Sequence, residues 1–236
     1  MQVTRLQSVT GLSYTVAMCN RTGTGCIRTL QKVKLTLYYE ALCPASEEFV
    51  VNHLYKIFEN GLISIIDLKF SPYGNAKISS NGTIVCQHGE WECLLNAVEA
   101  CAIHAWPHVS DHFMIIHCLE SLCHEDKYAQ WRTCFKKLNL NPKPVDDCQT
   151  SGLGHKLELE YADEIKALKP PHKFVPWVVV NEQPLNEEYE DFMSYICKAY
   201  KGTNVPHACK GLTDPIVVYK DNVKPLNRQV SFNEED

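Results

Sequence analysis

Between Val33 and Phe70 the chain changes period twice, and this stretch dictates the fold. Val33, Leu35, Leu37 and Tyr39 alternate with Lys34, Thr36 and Tyr38, the two-residue repeat of a strand. Leu42-Cys43-Pro44-Ala45-Ser46 then opens a helical pattern. Proline suits the first turn of a helix, and Glu47 and Glu48 complement its positive end. Phe49, Val50, Leu54, Ile57 and Phe58 continue at three-and-four spacing until Asn60-Gly61 stops the helix. Leu62 to Phe70 reads as a second strand. The result is a βαβ unit with Cys43 at the carboxyl end of its first strand, where open α/β sheets place their ligands. A helix start offers free amide hydrogens and the positive end of the macrodipole, which favour a thiolate. Cys43 is therefore the candidate nucleophile; the plain alternative is a core cysteine that happens to precede a helix.

Beyond Ser71-Pro72-Tyr73-Gly74, the spacing predicts helices at about 90 to 105, 110 to 138 with a break, and 153 to 168, punctuated by Pro107, Pro142 and Pro144. A strand pattern returns at Phe174 to Val180 with a short partner. Asn186 is read as the cap of a last helix, with Tyr189, Phe192, Ile196 and Tyr200 on one face. The order fits an α/β, thioredoxin-like fold with a helical, disulfide-stabilised insertion. The expected organisation is a poorly structured leader over 1–31, one domain over 32–210 with its insertion at about 83–169, and a disordered polar tail over 211–236.

Twelve cysteines in 236 residues point to an oxidising or endomembrane compartment with several structural bridges. The sequons Asn20-Arg21-Thr22 and Asn81-Gly82-Thr83 point the same way, to a glycoprotein of the secretory pathway. Met1 to Leu30 has no apolar core of the kind a signal peptide carries. Lys and Arg number 23 against 28 Asp and Glu, so a net charge of -5 gives no basic footprint for nucleic acid. No apolar run approaches the roughly 18 residues of a membrane span.

The chemistry around Cys43 is that of a site with one sulfur. A dithiol Cys-x-x-Cys site would carry its second thiol at position 46, where this chain has serine. Ser46 is one helical turn away and is expected to donate a hydrogen bond to the Cys43 thiolate, or to be an ordinary residue of a helix start. It cannot resolve a mixed disulfide, so release needs an external thiol. Val175-Pro176-Trp177 opens the returning strand; a cis proline there would lie beside the active cysteine, whereas an edge-strand proline is the plain reading.

The run Cys86-Gln87-His88-Gly89-Glu90-Trp91-Glu92-Cys93-Leu94-Leu95-Asn96-Ala97-Val98-Glu99-Ala100-Cys101 fits C-Q-H-G-x2-E-C-x2-N-x4-C at every specified position. It resembles the signature of the gamma-interferon-inducible lysosomal thiol reductase family, and the similarity extends over about residues 33 to 209. The resemblance implies a thioredoxin-like fold with a helical insertion, secretory-pathway glycoproteins that end in an acidic lysosome or vacuole or outside the cell, and reduction of protein disulfides. It assigns Cys43 as nucleophile and Pro176 as the cis proline. Ser46 departs from the family's second catalytic cysteine, as it does in plant members, and puts autonomous turnover in question. Asn181-Glu182 stands where Asn-Gly is usual in the following hairpin.

A zinc site of Cys86, His88, Cys93, Cys101 and His104 has the right residue types but not the paired spacing of common zinc folds, so no metal and no cofactor are expected. Cys93 and Cys101, eight residues apart on one helix, lie about 12 Å apart and cannot pair with each other. Each needs a partner elsewhere in the insertion, and Cys197 with Cys209 is the preferred pair. With Cys43 set aside, eleven cysteines leave at least one more unpaired within the chain. The spacing of His104, His108, His112 and His117 reads mostly as a solvated helix face. The expected function is a thiol-disulfide oxidoreductase acting on protein disulfides through Cys43, supported by Ser46 and Pro176 and resolved by an external low-molecular-weight thiol or reductant. The alternatives are a non-catalytic polypeptide-binding protein that uses the same groove, and a disulfide-rich structural domain in which Cys43 is bridged.

Overall fold

The computed structural model describes residues 32–212 together with 17–19 and 26–28. Strands β1 (Ala17–Cys19) and β2 (Cys26–Arg28) pair antiparallel inside the stretch read as a leader. The rest of that stretch, and 213–236 of the expected tail, lie outside the described residues.

The main sheet is built on β3 (Val33–Tyr39), whose alternating Val33, Leu35, Leu37 and Tyr39 are almost fully buried. It pairs in parallel with β4 (Ile66–Pro72), setting Leu35 opposite Leu68 and Leu37 opposite Phe70. On its other side β3 pairs antiparallel with β7 (Trp177–Val180), which turns into β8 (Gln183–Pro184). The order is therefore β4-β3-β7-β8. Between β3 and β4 the chain forms α1 (Pro44–Glu48), a π-helical segment (Phe49–Leu54) and α2 (Lys56–Glu59). Phe49, Val50, Leu54 and Ile57 bury the face that packs on the sheet. The hairpin β5 (Lys77–Ile78) and β6 (Ile84–Val85) follows β4.

Five helices then separate β6 from β7: α3 (Glu90–Ala105), α4 (Val109–His124), α5 (Thr133–Lys137), α6 (Lys143–Thr150) and α7 (Leu153–Lys166). They enclose a second core around Leu95, Val98, Leu119, Phe135 and Val145. Phe113 of α4 joins it to the sheet, stacking on Phe58 with ring centroids 4.0 Å apart and lying 5.9 Å from Phe70. Truncating such a buried aromatic costs about 3–5 kcal/mol. Disulfides Cys86–Cys93, Cys101–Cys148 and Cys118–Cys134 staple the helical layer. Cys197–Cys209 ties α8 (Phe192–Ala199) to the turn after it, as expected. Cys93 and Cys101 each bond outside their own helix.

Three local expectations are corrected. Leu62–Ile65 is a 3-10 turn rather than the start of a strand, because Gly61 at φ +76 reverses the chain and the turn buries Leu62 and Ile65. Pro142 and Pro144, read as breaks, begin α6, since a proline in the first turn gives up no helical hydrogen bond. Asn186 does not cap α8: it takes φ +50 and opens a 3-10 segment, and Asp191 precedes α8 instead.

Candidate active site

Cys43 occupies the N-cap of α1 with extended backbone (φ -89, ψ 114), and its carbonyl accepts the Glu47 amide hydrogen at 3.0 Å. Leu42 before it takes φ +62, a left-handed conformation rare for a branched side chain. That reversal carries the chain from β3 directly into the helix. Cys43 is 9% exposed, and its Sγ faces the Val175 carbonyl at 3.9 Å. The Val175–Pro176 bond is cis, as is Lys169–Pro170. The α1 start and the loop before β7 thus meet at the thiol, and Phe49, Phe174 and Tyr189 form an aromatic cluster beside them.

Ser46 is fully buried one turn from Cys43, and its Oγ has no hydrogen-bond partner. The donation to Cys43 anticipated from sequence is absent from this conformation. A buried hydroxyl without an acceptor is costly, and an anion at Cys43 would supply one.

Several polar groups that sequence reasoning missed lie behind the turn. Asn96 of α3, fully buried, accepts the Ala41 amide hydrogen at 2.9 Å through Oδ1. Glu40 accepts the Asn75 amide hydrogen at 2.5 Å. Glu92 accepts from the His88 backbone at 2.5 Å and from the His88 ring at 2.9 Å. Deeper, the Tyr39 hydroxyl donates to Glu99 at 2.6 Å. Burial pushes the Glu99 carboxyl up to about 7 despite that bond. Glu120 of α4 is raised well above the carboxylate range by burial and then by the charge of Glu99. Glu47 is raised by burial, offset by His124 at 3.9 Å. One signal of this network stood in the sequence: Glu92, Asn96 and Glu99 fall at helical spacing on a single face of α3.

Cys43 and Cys123 are the unpaired cysteines among the described residues. Cys123, near the end of α4, is 3% exposed, and burial followed by the charges of Glu120 and Glu99 drives its thiol far above the usual range. It lines a cleft of about 460 Å³ with Leu42, Pro44, Glu47, His124 and Tyr128. Trp91, 40% exposed, packs edge-on against Tyr128 at 5.4 Å, beside this cleft. The sulfurs of Cys86, Cys93 and Cys101 are committed to disulfides, which removes the thiolates the zinc reading required.

Residues 34–138 match the family model for gamma interferon inducible lysosomal thiol reductase. Over 182 residues the chain is 47% identical to the gamma-interferon-responsive lysosomal thiol protein of Arabidopsis thaliana, covering 75% of this chain and 76% of that protein. It is 36% identical over 187 residues to the gamma-interferon-inducible lysosomal thiol reductase of Mus musculus, covering 77% of this chain and 73% of that one. The fold is similar to that of Chlamydia trachomatis DsbA, with a TM-score of 0.52 at 14% identity, over 82% of this chain and 94% of that one. It is also similar to a Mycobacterium tuberculosis disulfide bond oxidoreductase, DsbG, with a TM-score of 0.51 at 14% identity, over 78% of this chain and 86% of that one. With the thioredoxin-like core, the stapled helical insertion and the full signature at Cys86–Cys101, the chain belongs to the gamma-interferon-inducible lysosomal thiol reductase family.

Proposed function

We propose that this thiol-disulfide oxidoreductase opens protein disulfides through Cys43 alone and depends on an external thiol for release. The observation that carries the reading is an unpaired cysteine at a helix N-cap, facing the Val175–Pro176 cis bond, with a buried serine where a resolving thiol would stand. Cys43 sulfur, as thiolate, attacks one sulfur of a substrate disulfide; a Cys43–substrate bond forms and the other substrate sulfur leaves as thiolate. The unpartnered Ser46 hydroxyl is positioned to donate to the anion before attack. The backbone edge at Val175 and Pro176 positions an extended segment of substrate against the sulfur. A low-molecular-weight thiol then attacks the adduct and frees the second substrate thiol, and a second equivalent returns Cys43 to the thiol. One substrate disulfide is reduced and one small disulfide is formed.

The cleft beside Pro44 and the exposed Trp91 offer a surface for a polypeptide segment. Four disulfides among the described residues and lysosomal relatives support a secretory route ending in an acidic compartment. Asn81 sits in an exposed turn between β5 and β6; Asn20 lies outside the described residues. No helix among those residues is long and apolar enough to cross a membrane.

Turnover of a disulfide-bonded polypeptide, followed against added glutathione at about pH 5, tests the reading. Multiple turnovers that appear only with thiol and vanish in Cys43→Ala are expected. Client binding that survives Cys43→Ala, with no turnover at any thiol level, would establish the polypeptide-binding alternative instead.

A further inference from the structure

Glu40 and Glu92 are both fully buried behind the turn that leads to Cys43. Among the described residues neither pairs with a lysine or an arginine. Two carboxylates taken out of water without a fixed cation are costly. What they face in common is His88, whose Nδ1 lies 2.9 Å from Glu92 Oε2 and 3.7 Å from Glu40 Oε1. The His88 side chain remains 29% exposed. The three donor atoms lie within 4.8 Å of one another.

We propose that Glu40, His88 and Glu92 form a binding site for a divalent transition-metal cation, held by one imidazole nitrogen and two carboxylate oxygens. Bonds of about 2.0–2.2 Å place neighbouring donors about 3–3.5 Å apart, between the 2.9 Å and 3.7 Å that separate His88 Nδ1 from the two carboxylate oxygens. A nitrogen-and-oxygen donor set without sulfur suits zinc, manganese or iron(II). The carboxylates are also oriented from behind. Glu40 accepts from the Asn75 amide at 2.5 Å and from its side chain at 3.3 Å, while Glu92 accepts from the His88 amide and, at 3.5 Å, from Asn96. Such hydrogen bonds fix ligand geometry in metal sites.

The surrounding backbone is built to the same shape. The Cys86–Cys93 disulfide, across a sequence separation of 7, closes a short loop that carries both His88 and Glu92. Gly74, at φ +57, leaves the space that the Glu40 carboxylate fills, and a methyl group there would overlap it. A cavity of about 930 Å³ lies alongside, lined by Gly74 and Asn75, which contact Glu40, and by Gln87, the neighbour of His88 in sequence. A cation here neutralises the buried pair and anchors Glu40, three residues before the nucleophile.

The test is calorimetric titration of the full chain, disulfides intact and pretreated with chelator, with Zn²⁺ as the probe. One saturable equivalent is expected. His88→Ala, on the partly exposed loop, should weaken it by at least about tenfold, as should Glu40→Gln if that variant folds. Cys43→Ala, which removes the competing thiol, and His108→Ala, which removes an exposed histidine elsewhere, should bind as the parent does. Absence of saturable binding, binding unchanged in His88→Ala, or binding lost in Cys43→Ala would overturn the assignment.

Discussion

The side chain of Asn96 holds the backbone of Ala41: Oδ1 accepts the Ala41 amide hydrogen at 2.9 Å, both groups fully buried. One contact thus joins the Cys86–Cys101 signature on α3 to the chain two residues before Cys43, and gives a physical link between a motif some fifty residues downstream and the Cys43 turn. Asn96→Ala leaves that amide hydrogen buried without an acceptor, at about 1–3 kcal/mol. The expected result is a melting temperature lower by several degrees, with altered alkylation kinetics of Cys43 in protein that remains folded. Unchanged kinetics would mean that the contact stabilises the fold without positioning the thiol.

The buried carboxyls make stability depend on pH in one direction. Glu99 and Glu158 are each raised by burial to about 7. The folded chain therefore keeps protons that the unfolded chain releases at about 4.5, and stability falls as pH rises from about 4.5 to about 7. Below that window these two groups are protonated in both states and above it ionised in both, so their contribution to the slope disappears. For Glu158, raised by burial alone, the slope is about 1.4 kcal/mol per pH unit. Denaturant unfolding should give greater stability at pH 5 than at pH 8, and Glu158→Gln should flatten the profile by roughly that slope. A profile rising with pH would contradict this.

Ser46 occupies a fully buried site that a thiol of nearly the same size can enter. Ser46→Cys should supply a resolving thiol in the same helical turn, at an effective concentration in the mM range or above. At about 0.1 mM external thiol, turnover should rise about tenfold or more, and the dependence on added thiol should weaken. An unchanged dependence would show that release is limited elsewhere.

The β7–β8 hairpin turns through Asn181 at φ +45 and Glu182 at φ +69. Asn181 is suited to this geometry and also accepts the Lys34 amide hydrogen at 2.9 Å. Glu182 lacks that tolerance, and left-handed backbone costs a side-chain-bearing residue about 1–2 kcal/mol. Glu182→Gly should stabilise the protein by about 0.5–1 kcal/mol after the entropy of glycine is counted. Thermal unfolding checks the sign.

The parts of this molecule legible in the sequence are those set by local period and by turn chemistry. Val33 to Tyr39 alternates because one strand lies at the centre of a sheet, and the bounds of α3 follow from its periodicity. Cys43, Ser46 and Pro176 are read together from the sequence, and the fold brings the Cys43 sulfur to the Val175 carbonyl beside Pro176, but the isomer at Pro176 and the unpartnered state of the Ser46 hydroxyl depend on tertiary packing. Helix α6 was hidden because Pro142 and Pro144 signal a break and a helix start equally well. The acids behind the site were hidden for a different reason. Glu40, Glu92, Glu99 and Glu120 carry side chains that are usually solvated, and only the closure of α3 and α4 over β3 reveals that they are buried.

The most direct test of single-cysteine attack is mass spectrometry of the protein after exposure to a disulfide-bonded polypeptide with no added thiol. The account predicts one mixed disulfide per chain at Cys43, stable until a small thiol is added and absent in Cys43→Ala. An equally abundant adduct in Cys43→Ala, or an internal Cys43–Cys123 bond with substrate already released, would contradict it.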